Sequence, residues 1–188
     1  MLKFMFILCV HAAMLLAICS AIAVEPKRKD LDLKNHKPIA AAIVKFDEAT
    51  LFEGVPRKKD SKAPEPTQKT IKIHEYTFFD ETLEISADDA KAVVKLLANA
   101  DSVSEQHPKF CGGFHPDYCL QLNVGKEKWL ALVCLTCHEV KFYGPKKLHL
   151  YCDLKDPAYE DVKKILIEYR KNRPVPRLKP ETTKKEEK

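Results

Sequence analysis

Two stretches of the chain repeat apolar residues at the spacing of an amphipathic helix. The first follows Ser86, a natural N-cap, and carries Asp88 and Asp89 in its first turn, where the helix dipole favours anions. We expect this helix to end near Asn99. Its apolar stripe comprises Ala90, Val93, Val94 and Leu97. The second helix is predicted to open at Asp156-Pro157, and its stripe comprises Val162, Ile165, Leu166 and Tyr169.

Between these helices, apolar and polar residues alternate as they do in a β-hairpin. The alternation predicts strands over 118–124 and 129–135, joined by a turn from Gly125 to Lys128. A turn of that length places Val124 opposite Trp129 and Cys119 opposite Cys134. One face of the hairpin is then wholly apolar and must cover the core.

Four other stretches have the composition of strands. These are 41–47, 71–85 (a strand or a hairpin), 139–143 and 148–152, and the stretch 57–70 between the first two is a Lys/Pro/Ser-rich loop. The pattern predicts one α+β domain over 39–174, with an antiparallel sheet of about four to six strands and two main helices. Residues 24–38 are predicted to be a linker, and residues 175–188 a disordered basic tail.

The N-terminus has the organisation of a secretory signal. Lys3 precedes an apolar run, and a small-x-small triplet ends at Ala23, so residues 1–23 are predicted to be cleaved off. A membrane anchor is the alternative, but the run is short and Pro26 with three cations follows closely. A lipoprotein signal at Cys19 would have bulky Ile18 where a small residue is usual. The sequence therefore predicts a periplasmic or extracellular protein with no transmembrane anchor after cleavage.

Composition and charge exclude several classes of protein. With 45% hydrophobic and 31% charged residues in a chain of 188, the protein is neither disordered throughout nor collagen-like. The formal net charge of +5 lies mainly in residues 170–188, which hold eight Lys or Arg and three Glu. A solvated tail accounts for this charge better than a nucleic-acid surface does. A weak contact of the tail with an anionic surface stays open.

The cysteines are concentrated in one region. Cys9 and Cys19 leave with the signal, so five of the seven cysteines remain: Cys111, Cys119, Cys134, Cys137 and Cys152. Export makes disulfides the expected state. Opposed strand positions favour a Cys119–Cys134 bridge. A second bridge would join Cys111 to Cys152, or Cys137 to either of them.

Two cofactors compete with disulfides for these residues. A zinc ion would take Cys134 and Cys137, completed by Cys111 and His115 or by another cysteine or histidine of the region. The sequence Cys134-Leu135-Thr136-Cys137-His138 also matches the CxxCH attachment sequence of c-type haem, with His138 as the proximal ligand. All three methionines leave with the signal, so a second axial ligand would have to be histidine. The motif also lies in strand-like sequence, and the absence of a following helix weighs against a thioredoxin-like dithiol.

The sequence FCGGFHPDYCLQLNVGKEKWLALVCLTCHEVKFYG, followed by LYCDL and AYEDVKKILIEYRKNRP, resembles a class of small exported bacterial proteins of unknown function. Those proteins carry a similar Cys-Phe-x-Pro turn, a hairpin and a CxxC strand before a closing helix. The resemblance covers residues 75–174 and implies an α+β domain and export. It implies Cys111, His115, Cys134 and Cys137 as the positions that match the pattern, and it brings no activity or ligand.

We therefore expect a non-enzymatic binding or structural module that is exported, has no cofactor and is stabilised by disulfides among the five cysteines. The alternatives are a haem- or metal-binding redox protein and a thiol-disulfide oxidoreductase.

Overall fold

A computed structural model describes residues 33–57 and 68–173 of the chain. Three α-helices are formed, α1 (His36–Ile43), α2 (Ala87–Ala98) and α3 (Ala158–Ile167). Eight strands are formed: β1 (Glu48–Gly54), β2 (Thr70–Ile73), β3 (Tyr76–Leu83), β4 (Val103–Glu105), β5 (Tyr118–Val124), β6 (Glu127–Cys134), β7 (Glu139–Tyr143) and β8 (His149–Leu154). They make a single antiparallel sheet in the order β2-β3-β1-β5-β6-β7-β8-β4.

The α+β class with an antiparallel sheet is confirmed, but the predicted size of the sheet is wrong. The sheet has eight strands, and a third helix joins the two predicted ones. The two outermost strands, β2 and β4, have four and three residues and are too short to show an alternating pattern. The predicted signal and the tail 175–188 lie outside the described residues.

The segment 41–47, predicted to be a strand, belongs partly to α1. Ile39 and Ile43 lie one helical turn apart and are buried, and Ala40, Ala41 and Ala42 between them favour a helix. The first strand begins only at Glu48. Helix α1 starts inside the stretch predicted as a linker, of which residues 24–32 lie outside the described part.

The core lies between one face of the sheet and the three helices. Helix α2 begins at Ser86, whose hydroxyl accepts a hydrogen bond from the Asp89 backbone N–H, and it ends at Ala98, as the sequence predicts. The apolar hairpin face is also confirmed. The buried residues that these elements share include Val93, Val94, Leu97, Leu120, Leu122, Trp129, Ala131, Val133, Val162 and Leu166.

The predicted register of the β5–β6 hairpin is wrong by two residues. Gly125 has a positive φ of 58°, which allows a two-residue turn, and Glu127 already pairs with Val124. Leu122 is opposite Trp129, so the predicted inward side chains still face the core. The shift nevertheless places Cys119 opposite Leu132.

The face of the sheet that points away from the helices is partly covered by the β2–β3 hairpin of the same sheet. The tip of the β2–β3 hairpin reaches β7, where the His74 ring stacks on Tyr143 with centroids 3.9 Å apart. The Lys141 ammonium donates to the Tyr76 hydroxyl at 2.7 Å. Strands β2 and β7 are far apart in the strand order, so these contacts mean that the sheet curls strongly. A small apolar cluster lies beneath, formed by Phe52, Phe78, Cys119, Leu130 and Leu132.

Two buried carboxylates hold the chain after α3. The Glu53 carboxylate accepts backbone N–H groups from Asn172 at 2.6 Å and Arg173 at 2.9 Å. The Arg173 guanidinium forms an ion pair with Asp117 at 2.6 Å. Across the described ranges, no helix has both the length and the apolar character needed to cross a membrane.

The lack of a side chain at Gly54 lets β1 pack closely on the segment that precedes β5. A Cβ atom at this position would lie 2.1 Å from the Pro116 carbonyl oxygen, which is backbone and cannot swing away. We expect Gly54→Ala to lower the free energy of unfolding by about 1–3 kcal/mol. Urea denaturation measures the loss. The exposed substitution Glu84→Ala should change it by less than about 0.5 kcal/mol, and equal effects of the two variants would contradict the close packing.

Candidate functional site

Three buried polar residues lie side by side on the curled face of the sheet. Cys134 on β6 pairs with Glu139 on β7, which pairs in turn with Asp153 on β8. Their exposed fractions are 1%, 1% and 7%. Two carboxylates at this depth lose most of their hydration, so the fold must supply cations or hydrogen-bond donors.

The loop 106–117, which joins β4 to β5, supplies these groups. The Lys109 ammonium lies 2.8 Å from one Asp153 oxygen and 3.9 Å from Glu139 Oε1. The Gln106 amide donates to Glu139 Oε1 at 3.3 Å, and the His107 backbone N–H donates to Asp153 at 3.3 Å. Glu139 Oε2 is buried and has no hydrogen-bond partner.

A disulfide joins the same loop to the turn between β6 and β7. It links Cys111 to Cys137, whose Cα atoms are 6.3 Å apart. Cys111 is partly exposed, whereas Cys137 is 3% exposed. The two sulfurs and one Glu139 carboxylate oxygen all lie within 4.8 Å of one another. The bond, the buried carboxylates and Lys109 therefore form one cluster.

Arg57 fixes the other side of the disulfide. Its guanidinium donates to the carbonyl oxygens of Cys111 at 2.9 Å and Gly112 at 3.1 Å, and also to that of Gly113. Gly112 has a positive φ of 82°, and a Cβ atom there would lie 2.7 Å from the guanidinium. Glycine at this position therefore permits both the backbone conformation and the close approach of Arg57.

The remaining cysteines of the described part are free thiols. Cys119 lies in the small apolar cluster, Cys152 lies in the main core, and Cys134 lies in the polar row. The predicted Cys119–Cys134 bridge is wrong, because the register separates the two residues. Of the pairings that the sequence left open, the structure contains Cys111–Cys137, and Cys152 is unpaired. Burial raises the pKa of Cys119 to about 12.

The CxxCH residues do not have the arrangement that a c-type haem requires. Thioether attachment needs both thiols, but Cys137 is bonded to Cys111 and Cys134 is buried. The His138 ring stacks on Tyr159 with centroids 3.4 Å apart, so this face of the ring is already packed. The structure brings the three residues to one end of β6 and the turn that follows it, where Cys137 and His138 already have partners.

The predicted zinc ligands are only partly brought together. Cys111 and Cys137 meet, but their partner in the group of closely spaced ligand atoms is Glu139 and not His115. Zinc binds thiolates, and in the structure the two sulfurs are bonded to each other. His115 lies instead near Arg57, Asp117 and Arg173, whose charges act on its pKa.

Sequence reasoning missed the charged members of the cluster. Glu139 follows the CxxCH motif directly and begins an apolar strand, where a buried carboxylate is unusual and signals a partner. Lys109 and Arg57 gave no local signal, because their partners lie 44 residues and about 55 residues away in the sequence.

Comparisons of the chain with protein-family models, with curated proteins and with solved structures find no match.

The two histidines beside the cluster predict a pH dependence of stability. Burial, followed by the charges of Arg173 and Arg57, lowers the pKa of His115 below its usual 6.5, and burial also lowers the pKa of His138. The unfolded chain therefore binds these protons more readily than the folded chain, so stability should fall as the pH drops below about 6.5. Urea denaturation across this range should show a shallower fall for His115→Gln. The exposed Lys91→Gln should leave the wild-type profile unchanged, and parallel wild-type and His115→Gln profiles would count against the assignment.

Proposed function

We propose that the protein is an exported, non-enzymatic binding module whose contact surface is the disulfide-anchored loop 106–117. The observation that carries the proposal is the Phe110 side chain, which is fully exposed although the residues on both sides of it are fixed. Lys109 is held by Asp153, and Cys111 is bonded to Cys137.

Rigidity distinguishes Phe110 from an ordinary exposed apolar residue. Single apolar side chains at a surface are common and need no explanation. Here, however, the residue before Phe110 forms a side-chain ion pair and the residue after it forms a disulfide, so a partner that covers the ring would need to order little of the loop. Aromatic side chains, including phenylalanine, are enriched in the buried centres of interfaces, where a few residues carry most of the binding energy. The chemistry fits a partner that offers an apolar pocket to the ring.

Export is supported by two independent features. The N-terminal sequence has the cation, apolar run and small-residue site of a secretory signal. The Cys111–Cys137 bond requires an oxidising compartment to persist, which a periplasm or the extracellular space provides.

Site-specific photo-cross-linking tests the contact surface. The full chain is expressed so that it is exported, with a photoreactive phenylalanine analogue in place of Phe110. Val44, the other exposed large apolar residue among the described residues, carries the analogue in the control. We expect a discrete adduct from position 110 and none from position 44. An excess of unlabelled wild-type chain should suppress the adduct, whereas Phe110→Ala chain should not.

Two results would contradict the proposal. The absence of an adduct at position 110, or the same adduct at both positions, would remove Phe110 as the contact residue. Recovery of the chain inside the cytoplasm with residues 1–23 still attached would remove the export part. Because Phe110 is exposed, Phe110→Ala should keep its free energy of unfolding within about 0.5 kcal/mol of wild type, which separates lost contact from lost folding.

A further inference from the structure

The Cys111–Cys137 disulfide has a third cysteine beside it. Cys134 is the last residue of β6 and lies three residues before Cys137, which is in the turn that joins β6 to β7. Residues three apart in a tight turn have Cα atoms within about 7 Å, which is the range of Cα separations that a disulfide spans. Cys134 is a free thiol, is 1% exposed, and pairs across the strands with Glu139, one of whose carboxylate oxygens lies within 4.8 Å of both bonded sulfurs.

The groups around Cys134 act on the pKa of its thiol in both directions. Burial raises the pKa of Cys134, and the charges of Asp117 and Glu139 raise it further. Hydrogen bonding from the backbone N–H groups of His115 and Cys137 lowers the pKa of the same thiol. Cys119 and Cys152, the other free thiols of the described residues, belong to the two apolar clusters of the sheet.

We propose that this cluster is a thiol–disulfide exchange site, in which Cys134 displaces Cys111 from Cys137. The Cys134 thiolate attacks the Cys137 sulfur, a Cys134–Cys137 bond forms, and the Cys111–Cys137 bond breaks. Cys111 leaves as a thiolate and takes up the proton that Cys134 gave up. The number of disulfides is unchanged, so the step needs no oxidant or reductant.

The exchange replaces a disulfide at partly exposed Cys111 with a free thiol at the same residue. Cys137 and Cys134 are both buried, so the new bond lies inside the cluster, whereas Cys111 is partly exposed beside Phe110. The released Cys111 thiol would react with the disulfide of another molecule. Attack by the Cys111 thiolate gives a mixed disulfide at Cys111 and releases one thiolate of the external molecule. This site goes beyond the proposed binding role and does not depend on it.

Alkylation without a reductant tests the exchange directly. The mature wild-type protein is incubated natively with iodoacetamide at about pH 8.5, where more of a thiol is ionised, and is quenched with acid and mapped by peptide mass spectrometry. We expect progressive alkylation of Cys111 together with a peptide that contains a Cys134–Cys137 bond. Oxidised glutathione in place of iodoacetamide should give glutathione attached to Cys111.

Two variants serve as a matched pair. Cys134→Ala removes the attacking thiol and should lower the rate of Cys111 alkylation by at least about tenfold. Cys152→Ala removes an equally buried free thiol elsewhere in the sheet and should leave the rate unchanged.

The proposal is overturned if Cys111 in the wild-type protein stays bonded to Cys137 throughout, a result that requires no variant to fold. It is also overturned if Cys134→Ala is alkylated at Cys111 as fast as wild type. Neither result affects the cross-linking of Phe110, so failure of the exchange and failure of the binding proposal are distinguishable.

Discussion

One covalent bond constrains the loops on the face of the sheet that points away from the helices. The Cys111–Cys137 bond closes a segment of 26 residues and ties the loop before β5 to the turn after β6. A loop of that length corresponds to about 3.5 kcal/mol of chain entropy removed from the unfolded state. The main core lies on the other side of the sheet, so this contribution comes in addition to the packing of the helices.

The buried charges depend on that constraint. Glu139 and Asp153 lie on adjacent strands with almost no exposure, and Lys109 is the cation that approaches both. Lys109 belongs to a loop with little apolar burial of its own. The disulfide two residues later holds this loop over the carboxylates, so the ion pair need not pay the full entropy of ordering it. Next to the same bond, Phe110 is exposed and Cys134, three residues before Cys137, is a buried free thiol.

The sequence predicted the parts of the fold that local periodicity determines. The stripes of α2 and α3 and the inward face of the β5–β6 hairpin follow from side-chain spacing alone, and the N-cap at Ser86 follows from its hydroxyl. A register shift of two residues keeps every side chain on the same face of the sheet, so the wrong register left the predicted core intact. Cysteine pairing has no such tolerance. A turn closed by Gly125 separated Cys119 from Cys134, and tertiary contacts between distant segments brought Cys111 to Cys137.

Disulfide mapping of the freshly purified protein tests the central constraint most directly. The protein is quenched with acid, unfolded, alkylated without reduction and digested. The structure predicts one linked peptide pair, Cys111 with Cys137, and alkylated Cys119, Cys134 and Cys152. Recovery of Cys111 and Cys137 as alkylated thiols, or of a bridge between Cys119 and Cys134, would contradict it.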